Sequence, residues 1–308
     1  MRVAVVGLGV QGNKRIRVAG DDVVATVDPI VTTAKCQRVQ DLALSEFDAA
    51  IVCTPDQSKL EILRYLLSNN KHVLVEKPLL AAKTQQLIEL EEIIRSTGTI
   101  CYTAYNHRFE PHIVNLKKLL GQKVLGNIYQ ARIFYGNGTA LDVKNSPWRD
   151  NGIGVLSDLG SHVLDMALFL FGDRETMFET WSANRLETSC YDHVVFGSEG
   201  RPILEFEVTL LSWKNTFTMD VLGDQGSAHI NGLCKWGPST LTVRKRVFPS
   251  GKPEERVQEV LFPDPTWELE YSHFKQACSE GASNIKNDQW INSTLNNLAL
   301  TAIAKSRP

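Results

Sequence analysis

"VAVVGLGVQGNKRI", residues 3–16, decides how the first part of this chain folds. Four short apolar residues, Val3–Val6, read as a strand. They run without a break into Gly7, Gly9 and Gly12, and then into a helical pattern. G-x-G-x-x-G alone is a weak signal, and its position between a strand and a helix is what strengthens it. Gly7 permits the tight turn, Gly9 lets backbone approach a pyrophosphate, and Gly12 lets the helix pack close to the strand. The helix N-terminus, around Val10 and Gln11, then offers free N–H groups to an anion.

The next strand ends "VVATVDP". Asp28 lies 21 residues after Gly7, the offset of a carboxylate that accepts the ribose hydroxyls of an adenosine. Such a carboxylate would repel a 2′-phosphate, so NAD is expected rather than NADP. The plainer reading is that Asp28 opens a turn with Pro29, and Lys35 and Arg38 are the nearby cations that would favour NADP. A third strand ends "AAIVCTPDQSK", which sets Thr54 and Pro55 at the carboxyl edge of the sheet. There they either meet the nicotinamide half of a dinucleotide or simply begin a helix.

Strands are expected at 2–6, 23–27, 49–53, 72–75 and 99–103, and helices at 57–69 and 81–96, with Gly98 ending the second helix. Nearly continuous β-branched strands alternating with helices imply a doubly wound parallel sheet, the α/β Rossmann class, over residues 1–122. After Gly126 the pattern changes. A strand at 127–135 and a buried helix at 157–171 precede strands at 178–184, 192–197, 202–210, 216–222, 227–231, 240–247 and 257–262. The turn signals "SEGRP", "GDQG" and "PSGKP" separate them. An α+β domain at 123–308 with a large, mostly antiparallel open sheet is expected. Helices at 267–279 and 288–305 close it, and the last may pack back on the first domain.

The bulk numbers exclude several classes. A net charge of −2 gives no electrostatic case for nucleic acid. No apolar run reaches the roughly 18 residues of a membrane span, and no secretory leader is visible. Six scattered cysteines lack zinc spacing, so no metal site is expected, and they point to a reducing, cytoplasmic location. Cys53 and Cys101 read as inert strand residues.

Two further stretches carry ionisable groups. "VEKPLL" places Glu76, Lys77 and Pro78 at the end of the fourth strand, where Lys77 is either a solvated loop charge or a site residue. "GIGVLSDLGSHVLDMALFLFG", residues 152–172, sets Asp158, His162 and Asp165 on one side of an apolar helix near its start. An ionisable cluster at the mouth of a buried helix is costly unless paired or used. The bland alternative is a capping Ser157 or Asp158 and a satisfied core histidine.

Together GLGVQG (7–12), EKP (76–78), YNHRF (105–109) and DLGSHVLD (158–165) resemble the glucose-fructose oxidoreductase / inositol dehydrogenase / MocA (Gfo/Idh/MocA) family over essentially the whole chain. The resemblance implies an NAD(P)-dependent dehydrogenase acting on the CH–OH groups of sugars, cyclitols or their derivatives, with Lys77, Asp158 and His162 as catalytic residues. In that family a cis peptide often precedes the EKP proline. By the same resemblance Glu76 and Lys77 border the cofactor, His162 is the general base, and Lys77 stabilises charge on oxygen or shares the proton. Asn106, His107 and Arg108 follow the fifth strand, and one of them is expected to line a substrate pocket with Tyr135, the alternative for Arg108 being a structural charge. The Gly- and Asn-rich loop 135–156 is expected to bring Trp148 to stack on substrate and Arg149 to meet an anion, the alternative being a core Trp148. One departure stands out: many relatives carry T-P-N-x-x-H after the third strand, and here it is TPDQSK, with Asp56 and Lys59. The texture around "SPWRD" resembles members of surface-polysaccharide pathways that oxidise C3 of UDP-N-acetylglucosamine, which sets the specific expectation. Free sugars and inositols are the alternative, with Arg149, Arg108 and Lys144 as the cations open to a diphosphate. A regulator that senses a dinucleotide without catalysis is the reading from another class, and the retained trio argues against it. A homodimer or homotetramer through the second domain is expected.

Overall fold

The computed structural model describes residues 1–172, 174–261 and 263–305. The chain forms two compact units. One joins Met1–Asn106 with Pro265–Asn292, and the other joins His107–Asp264 with the chain from Ser293 onward. The sequence reading drew a single boundary after residue 122.

In the first unit, β1 (Val3–Val6), α1 (Val10–Ala19), β2 (Val23–Val27), β3 (Ala49–Val52), α2 (Asp56–Ser68), β4 (His72–Glu76), α3 (Gln85–Thr97) and β5 (Cys101–Ala104) follow one another. The strands are all parallel, in the order β2-β1-β3-β4-β5. Every residue of β1, β3 and β5 is buried, which is why these segments read as unbroken apolar runs. From β1 the chain goes to β2 on one side, and β3 lies on the other. The strand order therefore reverses at β1/β3, where a doubly wound sheet opens a crevice at its carboxyl edge.

Gly98 ends α3 in the left-handed region at φ 67°, as expected of a helix-terminating glycine. The start of α3 differs from the expectation at residue 81. It begins at Gln85, and the Ala81 N–H upstream donates to the Asn292 side chain at 3.0 Å. Asn284 and Asp288 likewise bind the backbone and hydroxyl of Thr103 at 2.8 Å each, so the chain beyond Pro265 returns to seal β5. Burial pushes the thiols of Cys53 and Cys101 well above their ordinary range, which fits inert cysteines.

The second unit holds α4 (Pro111–Gly121), β6 (Ile128–Gly136), α5 (Ala140–Lys144), α6 (Ser161–Phe171), β7 (Glu179–Asn184), β8 (His193–Ser198), β9 (Ile203–Thr209), β10 (Thr216–Gly223), β11 (Gly226–Asn231), β12 (Ser239–Lys245) and β13 (Glu254–Val260). Its eight-stranded sheet runs β13-β12-β11-β10-β6-β9-β8-β7, antiparallel except for the β6–β9 pair. Phe178, Phe196 and Phe206 pack together on its buried face, with ring centroids 5.3–6.2 Å apart. Of the two helices expected to close this domain, α7 (Thr266–Glu280) belongs to the first unit, and α8 (Ile285–Lys305) begins in the first unit and ends in the second.

Two expectations need correction. The loop reading of 135–156 missed α5, whose five residues are too few to show a helical period. The expected last strand, 257–262, begins earlier, at Glu254. Its alternation is obscured because six of the seven residues of β13 are exposed, and Phe262 lies outside the described residues. Among the described residues no helix is long and apolar enough to cross a membrane.

Candidate active site

The glycine turn in the first unit is built as its sequence implies. Gly7 sits at φ +92°, and a Cβ there would meet the Cys53 carbonyl oxygen at 2.7 Å. A Cβ on Gly12 would lie 1.9 Å from the Gly7 carbonyl oxygen, so α1 can approach β1 only without one. A Cβ on Gly9 would meet nothing within 4 Å. The chain thus leaves open space at the one glycine where a phosphate must approach. Gly9, Val10 and Gln11 are exposed, and no side chain caps the first N–H groups of α1. No acidic residue stands in that first turn to repel an anion.

Asp28 does two things. Its carboxylate accepts N–H bonds from Leu8 at 2.8 Å and from Ile30 and Val31 at 2.9 Å each. Burial raises its pKa, but the three backbone donors outweigh burial and hold it below the usual range. The turn-opening role is therefore real, and it also ties the glycine loop to β2. A carboxylate has about four acceptor positions, so one remains for a ribose hydroxyl. Lys35, the cation that would favour NADP, is engaged in an ion pair with Glu46. At the end of β3 the buried Thr54 hydroxyl has no hydrogen-bond partner among the described residues, an orphan that a bound polar ligand would satisfy. Pro55 precedes α2 as its N-cap. Glycine turn, ribose acid and orphan hydroxyl all suit a dinucleotide.

The EKP turn is clamped from both sides. Lys77–Pro78 is cis. Glu76 receives Arg15 Nε at 2.6 Å, and Arg15, itself 1% exposed, also binds Glu270 at 2.7 Å. Lys59 is 2% exposed. Its ammonium donates to the Pro78 carbonyl at 2.8 Å and pairs with Asp56 at 2.7 Å. The buried lysine of TPDQSK therefore holds the turn that carries Lys77.

In the second unit, Leu156–Gly160 forms a π-turn that runs directly into α6. Neither Ser157 nor Asp158 is an N-cap, because the helical backbone already begins upstream of them; the Ser157 hydroxyl bonds back to the Gly154 carbonyl at 2.8 Å. Single π-turns inside helices occur often at functional sites. His162, 7% exposed, lies against His107, with ring centroids 4.0 Å apart and planes at 36°. Tyr135 from β6 stands 5.5 Å from His107 and 6.0 Å from His162, and Trp236 lies 5.9 Å from Tyr135. Lys235 Nζ is 2.8 Å from His107 Nε2 and 3.4 Å from the Tyr135 hydroxyl. Burial, with the charges of Asp158 and Glu110 adding to it, pushes the Tyr135 phenol far above its ordinary range, so it remains a neutral donor.

The predicted substrate residues divide. Tyr135, Asp158 and His162 belong to this second-unit cluster. Arg108 instead makes a two-pronged pair with the buried Asp165, at 2.6 and 2.7 Å, which anchors the turn after β5 to α6. Asn106 is 9% exposed and donates to the Thr266 hydroxyl at 2.8 Å. Trp148 is 69% exposed, so it is not a core residue. The neighbouring backbone is held by Asp150, which accepts N–H bonds from Ser189 at 2.8 Å and Cys190 at 2.9 Å. Sequence reasoning missed Lys235 and Trp236. They lie on a 3-10 turn in "GLCKWGP", where no periodicity or motif marks them.

Two family models match the chain. "Oxidoreductase family, NAD-binding Rossmann fold" spans residues 1–105, and "GFO/IDH/MocA C-terminal domain" spans residues 113–229. The uncharacterized oxidoreductase YdgJ of Escherichia coli (strain K12) is 26% identical over 238 residues, covering 71% of this chain and 67% of its own length. Glucose-6-phosphate 3-dehydrogenase of Bacillus subtilis (strain 168) is 30% identical over 129 residues, 40% of this chain and 37% of that protein. The chain thus aligns with well under two thirds of the length of that dehydrogenase. A solved levoglucosan dehydrogenase in complex with NADH shares the fold. Its TM-score is 0.86 at 18% identity, over 99% of this chain and 98% of the other.

Proposed function

Because this chain belongs to the Gfo/Idh/MocA oxidoreductase family, with an NAD-binding Rossmann domain at its start, we propose that it is an NAD-dependent dehydrogenase oxidising a secondary hydroxyl of a sugar or polyol. The observation that carries the reading is the second-unit cluster, a buried imidazole beside a neutral phenol, an ammonium and an indole. Aromatic faces suit the C–H face of a sugar ring, and the polar groups suit its hydroxyls.

Bound NAD would be held by Gly7, Gly9, Val10, Gln11, Gly12, Asp28, Thr54 and Pro55, with Glu76 and Lys77 bordering it, and it supplies the hydride acceptor. His162 is assigned the hydroxyl proton, since its ordinary pKa lies near working pH. Lys77, by the family resemblance, is assigned to developing negative charge on oxygen. Asp158 orients the substrate or the imidazole.

Committing Arg108 to Asp165 removes one of three cations considered for a diphosphate, which supports a free sugar or polyol over a nucleotide sugar. The test follows NADH formation with glucose, glucose 6-phosphate, myo-inositol and UDP-N-acetylglucosamine. The proposal expects a ketone, two hydrogens lighter, from at least one free sugar or polyol. Oxidation of UDP-N-acetylglucosamine alone would restore the C3 nucleotide-sugar reading, with Arg149 and Lys144 as its anion contacts. Lys77→Ala should abolish turnover while leaving NAD affinity within about threefold, and retained turnover would refute the role of Lys77.

We further propose self-association through the open face of the eight-stranded sheet. Ile203 and Leu222 both pair with Gln130 and share that face; they are 44% and 39% exposed. These exposed apolar side chains, on either side of Gln130, suit a face covered by a second copy. A monomer by light scattering at micromolar concentration would overturn it.

A further inference from the structure

Glu110, Cys234 and Asp264 are far apart in sequence, and the second unit brings them together. Each offers an oxygen or sulfur atom, and these atoms all lie within 4.8 Å of one another. We propose that the three side chains form a zinc site that holds the Cys234–Trp236 turn in place. The site takes no part in the assigned proton transfer, so the inference does not depend on the dehydrogenase reading.

Burial sets this cluster apart from an acidic surface patch. Glu110 is 1% exposed and Cys234 3%. Glu110 Oε2 accepts the Cys234 backbone N–H at 3.1 Å, which turns the carboxylate toward the cysteine. The other oxygen, Oε1, is buried and has no hydrogen-bond partner among the described residues. A buried carboxylate oxygen without a partner is costly, and a bound cation removes that cost. A carboxylate has about four acceptor positions, so Asp264 can keep its other partners and still offer one to a metal.

Charge points the same way. Lys235 is a cation that acts on both Glu110 and Cys234. One ammonium does not balance three anions. Burial accordingly raises the pKa of Glu110, and burial with Glu110 and Asp264 pushes the Cys234 thiol far above its ordinary range. A divalent cation takes the place of those protons. With all three groups ionised, their charge equals that of the metal and Lys235 together, and the sign is opposite.

The donor set suits zinc. A thiolate favours it over magnesium or calcium, and carboxylates are ordinary zinc ligands. Atoms bound to tetrahedral zinc at about 2.0–2.3 Å stand roughly 3.3–3.8 Å apart, so the three must close by about 1 Å. Asp264 is the least buried of them and has the most room to move. Water fills the fourth position. Lys235 and Trp236 follow Cys234 on one 3-10 turn, and Lys235 Nζ meets His107 Nε2 at 2.8 Å. A metal on Cys234 thus fixes the turn that presents Lys235 to the cluster.

The test uses the full-length protein after treatment with a chelator. Zinc binding is followed by calorimetry, and cobalt(II) binding by absorption. One equivalent of zinc should bind with a Kd below about 1 μM, and cobalt should give a thiolate-to-metal charge-transfer band and tetrahedral d–d bands. Cys234→Ser should lose the charge-transfer band. Glu110→Gln, which keeps the side chain's shape, should weaken zinc at least tenfold with the thermal melt of the chelated protein intact. Cys36→Ser and Cys278→Ser, at the two half-buried thiols outside the cluster, should keep the band. Absence of saturable zinc binding overturns the proposal. So does cobalt bound without a thiolate band, or a band that survives Cys234→Ser. These readouts need neither NAD nor turnover, so failure of the dehydrogenase reading would show separately, as absence of NADH formation.

Discussion

Gly9→Ala separates folding from cofactor binding. A Cβ at Gly9 meets nothing within 4 Å, and the backbone there, at φ −69° and ψ −164°, is open to alanine. Two small effects oppose each other in the folded chain. Alanine is a poorer N-cap than glycine, while it restricts the unfolded chain, favouring the fold by about 0.4–1 kcal/mol. The net change should lie within about 0.5 kcal/mol, or a thermal shift of about 2 °C at most. NAD binding should suffer far more. The new methyl group occupies the space through which a phosphate reaches the first N–H groups of α1. Losing two charge-assisted hydrogen bonds at about 1.5–3 kcal/mol each weakens binding by on the order of 100-fold or more. Isothermal titration calorimetry with NAD, beside a thermal melt without it, measures both. Gly12→Ala is the contrast: its Cβ would lie 1.9 Å from the Gly7 oxygen, so it should lower the melting temperature as well. A Gly9→Ala protein that melts normally and binds NAD within threefold of the original would refute the phosphate-cradle reading.

Arg15→Met should leave the partly exposed Glu76 and the buried Glu270 without the Arg15 guanidinium, costing about 3–5 kcal/mol and on the order of 10 °C in thermal melting; a shift under 2 °C would show the pair to be dispensable. Lys59→Met should lower kcat about tenfold by loosening the Pro78 carbonyl while NAD affinity holds, with Lys59→His restoring part of the rate; unchanged kcat would free the EKP turn from Lys59. Asp28 carries a pH signature. Its folded pKa is depressed, so its stabilisation is present above the unfolded value near 3.9 and fades as pH falls through the lower folded value. Asp28→Ala should flatten the acid limb of urea midpoints below about pH 4, and an unchanged limb would contradict the three N–H bonds.

The parts of the molecule legible in sequence are those encoded within a short window. An apolar run followed by three glycines and a helix is a local matter of φ/ψ and periodicity, so the turn at residues 7–12, Asp28 at the end of β2 and Gly98 at the end of α3 could be read directly. Alternation of strands and helices, then its loss after Gly126, likewise announced a parallel sheet followed by an antiparallel one. Asp158 and His162 stood out because they interrupt an otherwise apolar helix.

Tertiary structure decided which of these groups are occupied and which are available. Arg15 meets Glu270 across 255 positions, Lys59 reaches Pro78, and Arg108 locks onto Asp165. Lys235 meets His107 across 128 positions, and His107 lies against His162. A lone lysine or arginine in a turn looks the same in sequence whether it awaits a ligand or already holds a carboxylate. Its partner comes from a distant segment, and only packing brings the two within the roughly 3 Å at which a hydrogen bond forms.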